Sequence, residues 1–264
     1  MTPHQDRYGE WLRDHDLSPN TIGQRLSFLS RVVEEFDPTT VTAGDLSDWL
    51  SQFSGWTRRA YVYSLRSVMR FMVDTGQRAD DPTVTLRVNP SPDVNPRPLT
   101  AAEERRLLAR ATGDEHAWVV LGLRAGLRCH ETAKIAGEDV ARDRIRILGK
   151  HGKVAWVPTH PDVWELAQRY PREGVWFPSY GSRGHVTSKW VSARTSVLLQ
   201  EIGADGSYHR LRATYATTLL REGANIKIVQ KLMRHGSLAS TEHYVDAAED
   251  ELTAAIQTLG RRAA

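Results

Sequence analysis

The sequence predicts a mainly α chain of the α+β class, organised as two domains. Three observations carry that expectation. Most segments repeat apolar residues at helical spacing behind helix-capping residues, a single short region alternates in the β manner around a polar turn, and a proline-rich stretch interrupts the pattern near residue 90. With 264 residues the chain is long enough to bury a sizeable core in at least one domain.

Before the proline-rich stretch every segment reads as helix, so residues 1–88 form a helical bundle that begins within the first few residues. Ser18 followed by Pro19 supplies an N-cap and first-turn pair for a helix to about Phe36. Thr42 with Asp45 opens a second helix to about Phe53, and a third runs from about Thr57 to Val73. In that third helix Val62, Leu65, Met69 and Met72 share one side, while Arg59, Arg66 and Arg70 stack on the other. Such a row is either a solvated face or a track for a nucleic-acid backbone.

The segment VNPSPDVNPRP, with four prolines and neither helical nor strand period, reads as a linker over residues 89–98. Thr100 with Glu103 then forms a capping-box signature for TAAEERRLLARA, so a second domain is expected over residues 99–264. HAWVVLGLRAGLR follows as a strongly apolar helix. Ile145 and Ile147, then Val154 and Trp156, flank the polar turn GKHGK and predict a hairpin, and helices return from Thr187 onward.

Composition narrows the class. No apolar run approaches membrane-spanning length, and the first residues lack a secretory signal, so a cytoplasmic protein without a membrane partner is expected. The lone Cys129 excludes an intrachain disulfide and any cysteine-rich zinc site. A histidine-only metal site from His209, His235 and His243 lacks any uniting helical or hairpin spacing, so no metal or other cofactor is expected. The net charge of +3 is modest but unevenly placed. Residues 1–96 carry ten Arg, no Lys and thirteen acidic residues, whereas the remainder carries 25 basic against 19 acidic residues.

Within that basic part lie groups suited to phosphate chemistry. His209 and Arg212, three apart, share a helical face and can reach one phosphate, and His235 and Tyr244 follow in the next segment. Arg128 ends the apolar helix with Glu131 three residues on, which is an ordinary ion-pair spacing or a planar fork for phosphate oxygens. Lys150 and Lys153, two of only six lysines, sit at the hairpin tip, either as solubility devices or as proton donors delivered to DNA. Tyrosine is a poor nucleophile at neutral pH, so such a kit works only if its neighbours stabilise charge on the phosphate it attacks.

In order and approximate spacing, GLRCHE, GKHGK before a strand ending in Val-Pro, HRLRATYATTLL and KLMRHGSLASTEHYVD resemble the tyrosine recombinase (phage integrase) family. LSPNTIGQRLSFLSRVVEEF and GWTRRAYVYSLRSVMRFM resemble that family's helical, SAM-like core-binding domain. The resemblance implies a mostly helical catalytic domain with a small antiparallel sheet, of the DNA breaking-rejoining type, and two domains that close around duplex DNA. It implies that Arg128, His209 and Arg212 hold the scissile phosphate and that His235 adds a hydrogen bond. Tyr244 attacks to leave a 3′-phosphotyrosyl link, Lys150 protonates the leaving oxygen with Lys153 as its alternate, and four protomers assemble on two DNA sites. Arg59, Arg66, Arg70 and Lys153 are the expected DNA contacts.

Two departures stand out. Ala213 occupies a position where the family commonly has histidine, and the N-terminal domain is net negative, so its arginine row has to supply the local field. Leu252, Ala255, Ile256 and Leu259 recur at helical spacing in the tail, which is expected to pack on a neighbouring protomer. The specific role implied is a phage or mobile-element integrase without an added arm-binding domain. The alternatives are a chromosome-dimer-resolving recombinase of the same family, a type IB topoisomerase and a non-catalytic DNA-binding regulator.

Overall fold

The computed structural model describes residues 3–88, 97–149, 154–179 and 184–234. Two compact units divide the chain, Met1–Val94 and Asn95–Ala264. The first holds four helices: α1 (Pro3–Asp14), α2 (Pro19–Glu35), α3 (Ala43–Ser51) and α4 (Gly55–Asp74). Ser18 caps α2 by accepting the Thr21 N–H, and Thr42 and Asp45 form a reciprocal capping box on α3. The apolar side of α4 packs as the sequence pattern requires, with Val62, Leu65, Met69 and Met72 all buried. Trp49 stacks on Tyr61 with ring centroids 5.4 Å apart, and Phe28, Phe36 and Phe53 pack around them edge-on or tilted.

The opposite side of α4 is not a uniform charged face. Arg66 donates to the Leu86 carbonyl at 2.8 Å and so pins the segment that leaves the bundle. Arg59 lies over the Tyr63 ring at 5.3 Å, and Arg70 pairs loosely with Asp74 at 3.6 Å while staying largely exposed.

The second unit is built around α6 (Gly113–Ala125), which is buried on nearly all sides. Around it lie α5 (Ala101–Arg110), α8 (Pro161–Ala167), α9 (Ser188–Glu201) and α10 (Tyr208–Arg221), with the short α7 (Cys129–Thr132) and α11 (Ile226–Met233). The capping box of Thr100 and Glu103 opens α5 as its sequence predicts. Gly122 lets α6 and α10 approach closely, because a Cβ there would lie 2.8 Å from the Leu211 Cβ.

The hairpin comprises β1 (Arg144–Leu148) and β2 (Val154–Pro158), paired antiparallel with Ile145 opposite Val157 and Ile147 opposite Ala155. Ile145, Ile147 and Val157 face the core, whereas Val154 and Trp156 face outward, with the Arg144 guanidinium over the Trp156 ring at 4.7 Å. The alternation is real, and the inward set on β2 is Val157 and its neighbour of the same parity, Ala155, rather than Val154 and Trp156, because the register pairs Ile145 with Val157.

Gly126 ends α6 in the left-handed conformation, φ +56°, beneath the ring of Tyr215. A Cβ there would come within 2.4 Å of Tyr215 Cδ1. Gly126→Ala therefore combines backbone strain with overpacking and is expected to lower unfolding stability by about 2–4 kcal/mol, measured by urea denaturation.

Candidate active site

The turn at Gly126 carries the chain directly into Arg128, the N-cap residue of α7. The Arg128 backbone N–H donates to Glu131 Oε2 at 2.7 Å, and its Nη1 donates to Glu131 Oε1 at 3.0 Å. Its Nη2 donates to the Arg234 carbonyl at 3.0 Å, 106 positions along the chain. Arg128 keeps 31% of its side chain accessible, while the Glu131 carboxylate is almost wholly buried. The ion-pair spacing of Arg128 and Glu131 thus forms a real pair, and it belongs to the site rather than to an isolated surface contact.

Arg212 enters from the first turn of α10 and is buried. Its Nη1 donates to the Gly126 carbonyl and its Nη2 to the Met233 carbonyl at the end of α11. The helix ends of α6 and α11 are therefore stitched together by one planar guanidinium, which satisfies carbonyls that a terminating helix leaves without partners.

His209, one turn before Arg212, stays exposed at the rim. Partial loss of solvent and the charges of Arg212 and Arg128 hold its imidazole below the ordinary histidine range. At pH 7 it is neutral, with one nitrogen able to donate and the other to accept. An NMR titration of the His209 ring should give a midpoint below 6.5, and bound duplex should move it upward, because an added phosphate favours the imidazolium.

Arg234 is the member that sequence reading missed. Its Nη2 pairs with Glu131 Oε2 at 2.7 Å and donates to the Gly126 carbonyl at 3.1 Å. The available signal was its place beside His235 at the end of an amphipathic helix, in KLMRHGS. Burial raises the Glu131 carboxyl, but Arg234, the Arg128 N–H and the Arg128 charge outweigh it and hold the group below the usual range. Among the described residues, three guanidiniums meet one carboxylate here, beside the His209 imidazole, a formal excess of two positive charges.

The turn-side ends of the hairpin strands lie beside this cluster. A cavity of about 130 Å³ is lined by Glu131 and Lys134 on one side and by Arg146, Leu148 and Val154 on the other. Lys150, Lys153, His235 and Tyr244 lie outside the described residues, as do His243 and the apolar set of the tail. Arg59, Arg66 and Arg70 all sit on α4 of the first unit. Among the described residues no group of three or more histidine, cysteine or acidic side chains is placed to hold a metal ion, and no helix is long and apolar enough to cross a membrane.

Residues 97–251 match the model of the phage integrase family. The tyrosine recombinase XerD of Caulobacter vibrioides is 29% identical over 240 residues, covering 81% of this chain and 78% of that protein. An integrase from mycobacterium phage Brujita is 32% identical, with a TM-score of 0.53 over 92% of this chain and 87% of that one. A lambda integrase tetramer bound to a Holliday junction shares the fold at 15% identity, with a TM-score of 0.72 over 89% of this chain and 76% of that one. The family match spans the segments that bring Arg128, His209 and Arg212 to one turn, and the chain belongs to the phage integrase family of tyrosine-type site-specific DNA recombinases.

Proposed function

We propose that this site cuts and rejoins duplex DNA through a 3′-phosphotyrosine, with Tyr244 as the nucleophile. The observation that carries the reading is the meeting of Arg128 and Arg212, from distant parts of the chain, at the Gly126 turn with two positive charges in excess. Negative charge builds on the non-bridging oxygens as the attacked phosphorus becomes pentavalent, and fixed guanidiniums offset it without reorganising. Arg128 and Arg212 hold those oxygens, neutral His209 contributes a hydrogen bond, and His235 adds another.

The Tyr244 hydroxyl gives its proton to solvent as its oxygen bonds to phosphorus and the bond to the 5′ oxygen breaks, and Lys150 gives that leaving oxygen its proton. Lys153 is the alternate donor. Supporting this role, the strand ends that carry the lysine-bearing turn border the same cavity as Glu131. The phosphotyrosine conserves the bond energy, so a 5′ hydroxyl from another strand reverses the step without ATP.

Incubation with a nicked duplex, from which the fragment beyond the cleavage point diffuses away, should accumulate a denaturation-resistant protein–DNA adduct, and peptide mapping should place the DNA on Tyr244. No adduct, or an adduct elsewhere, rejects the reading.

The DNA contacts are assigned to Lys153, Arg59, Arg66 and Arg70, and assembly on DNA to four protomers held by the tail helix. Arg66 keeps one nitrogen on Leu86, and Arg70, largely exposed, is the more accessible of that pair. The tetramer seen in the lambda integrase structure supports that count. Deleting the residues after Ala248 should prevent synapsis while leaving single-site binding intact.

The biological role assigned is integration of a phage or mobile element, supported by the similarity to the Brujita integrase across 92% of the chain. Resolution of chromosome dimers is the second reading, favoured equally by the similarity to XerD. Sequencing the DNA captured in the adduct separates the two. Integration requires two unlike loci, one bordering an element, whereas dimer resolution requires one chromosomal locus paired with its own copy.

A further inference from the structure

Arg234 has no part in the steps above, yet it differs from the other described arginines of the site in holding a left-handed backbone. It caps α11 at φ +53°, a conformation where glycine ordinarily ends a helix because a side chain is strained there. Among the described residues the other non-glycine at positive φ is Asp16, a residue type that tolerates the region better. An arginine kept in such a backbone conformation points to a use for its side chain.

That side chain is nine-tenths buried. Nη2 takes Glu131 Oε2 and the Gly126 carbonyl, Nη1 takes the Leu232 carbonyl at 2.8 Å, and Nε has no hydrogen-bond partner among the described residues. Its own carbonyl receives Arg128 Nη2. Glu131 is thus divided, one oxygen to the Arg128 guanidinium and the other to Arg234 and the Arg128 N–H.

We propose that Arg234 is a positioning residue that neutralises Glu131, so that Arg128 meets the scissile phosphate with its charge uncompensated. The inference rests on the phosphoryl-transfer reading given above. Without Arg234 the carboxylate and Arg128 form a one-to-one pair, and the site holds one positive charge in excess instead of two. Oε2, left with the Arg128 N–H as its partner, would also attract the Arg128 fork toward a bidentate pair, away from a phosphate. Arg234 therefore acts through Glu131 and Arg128 rather than on the reacting atoms.

The test is single-turnover adduct formation on the nicked duplex at saturating protein. Arg234→Gly is informative because glycine suits the backbone and so offsets part of the loss of the buried Glu131 pair and the Leu232 contact; its melting temperature should fall but stay above the assay temperature, so that cleavage is read on folded protein. Its cleavage should nevertheless slow by about tenfold or more, with duplex affinity changed by less than about threefold. Arg234→Lys, which keeps a charge beside Glu131, should recover to within about threefold of wild type, and so should Glu131→Gln added to Arg234→Gly, because it removes the charge that Arg234 offsets.

A wild-type rate for Arg234→Gly overturns the proposal, as does a lysine variant no faster than the glycine one. A double variant slower than Arg234→Gly alone assigns the defect to packing and also overturns it. Wild-type protein that forms no adduct overturns the phosphotyrosine reading and this inference together. Wild-type adduct with an unaffected glycine variant overturns the inference alone.

Discussion

Tyr244→Phe is expected to abolish the covalent adduct, with cleavage lower by a factor on the order of 10⁴ or more, while duplex binding stays within about twofold of wild type. The ring has no other atom able to attack phosphorus, and the residual activity of the site is limited to what water attains under the same positive field. Binding should survive because the phosphate contacts are assigned to the guanidiniums and not to the nucleophile. A gel of denatured complexes measures the first quantity and a mobility shift the second. The pair also separates the rival readings. A non-catalytic regulator would keep its full function with phenylalanine. A type IB topoisomerase would lose its adduct too, but its wild type would relax a single supercoiled circle without a second site.

Arg212→Ala is expected to be nearly as damaging, and in two ways at once. Removing one charge-stabilising donor from such a site typically lowers the cleavage rate by about 10²–10³. The same change leaves the Gly126 and Met233 carbonyls without the guanidinium that joins the ends of α6 and α11. The Gly126 carbonyl keeps Arg234 Nη2, whereas the buried Met233 carbonyl loses its side-chain donor, so unfolding stability should fall by about 1–3 kcal/mol. Arg212→Lys separates the effects. An ammonium restores the charge but cannot span both carbonyls as a planar fork does, so a part of the stability loss should persist even where some cleavage returns. Urea denaturation and single-turnover cleavage report the two losses independently. A variant with wild-type stability would show that the stitched helix ends hold without Arg212.

Helix boundaries were legible because the groups that set them are local. Ser18, Thr42 and Thr100 each cap the helix that their sequence context announces, since a capping hydroxyl acts over three residues and needs no tertiary partner. The buried face of α4 was legible for a related reason, as helical periodicity alone places Val62, Leu65, Met69 and Met72 on one side. The hairpin was legible as a hairpin, but not in which residues it buries. Parity in β2 depends on cross-strand register, and register puts Val157 rather than Trp156 opposite Ile145.

The arginines show the same division. Residue type, order and spacing selected Arg128, His209 and Arg212 from the chain, and the 1–264 sequence also named Lys150, Lys153, His235 and Tyr244 as their companions. Sequence could not show that Arg66 holds the Leu86 carbonyl, because that contact depends on where the chain goes twenty residues later. Nor could it show that Glu131 is shared by two guanidiniums, since Arg234 reaches it from more than a hundred residues away.

The chain by itself therefore determined the mainly helical class, the caps and the hairpin, which follow from short-range periodicity and residue chemistry, and it offered the phosphate-directed residues as an expectation. Tertiary structure alone decided the charge of the site. Only when the left-handed turns at Gly126 and Arg234 meet do three guanidiniums and one carboxylate come within hydrogen-bond reach, and their excess of two positive charges is a property of that meeting and of no single segment.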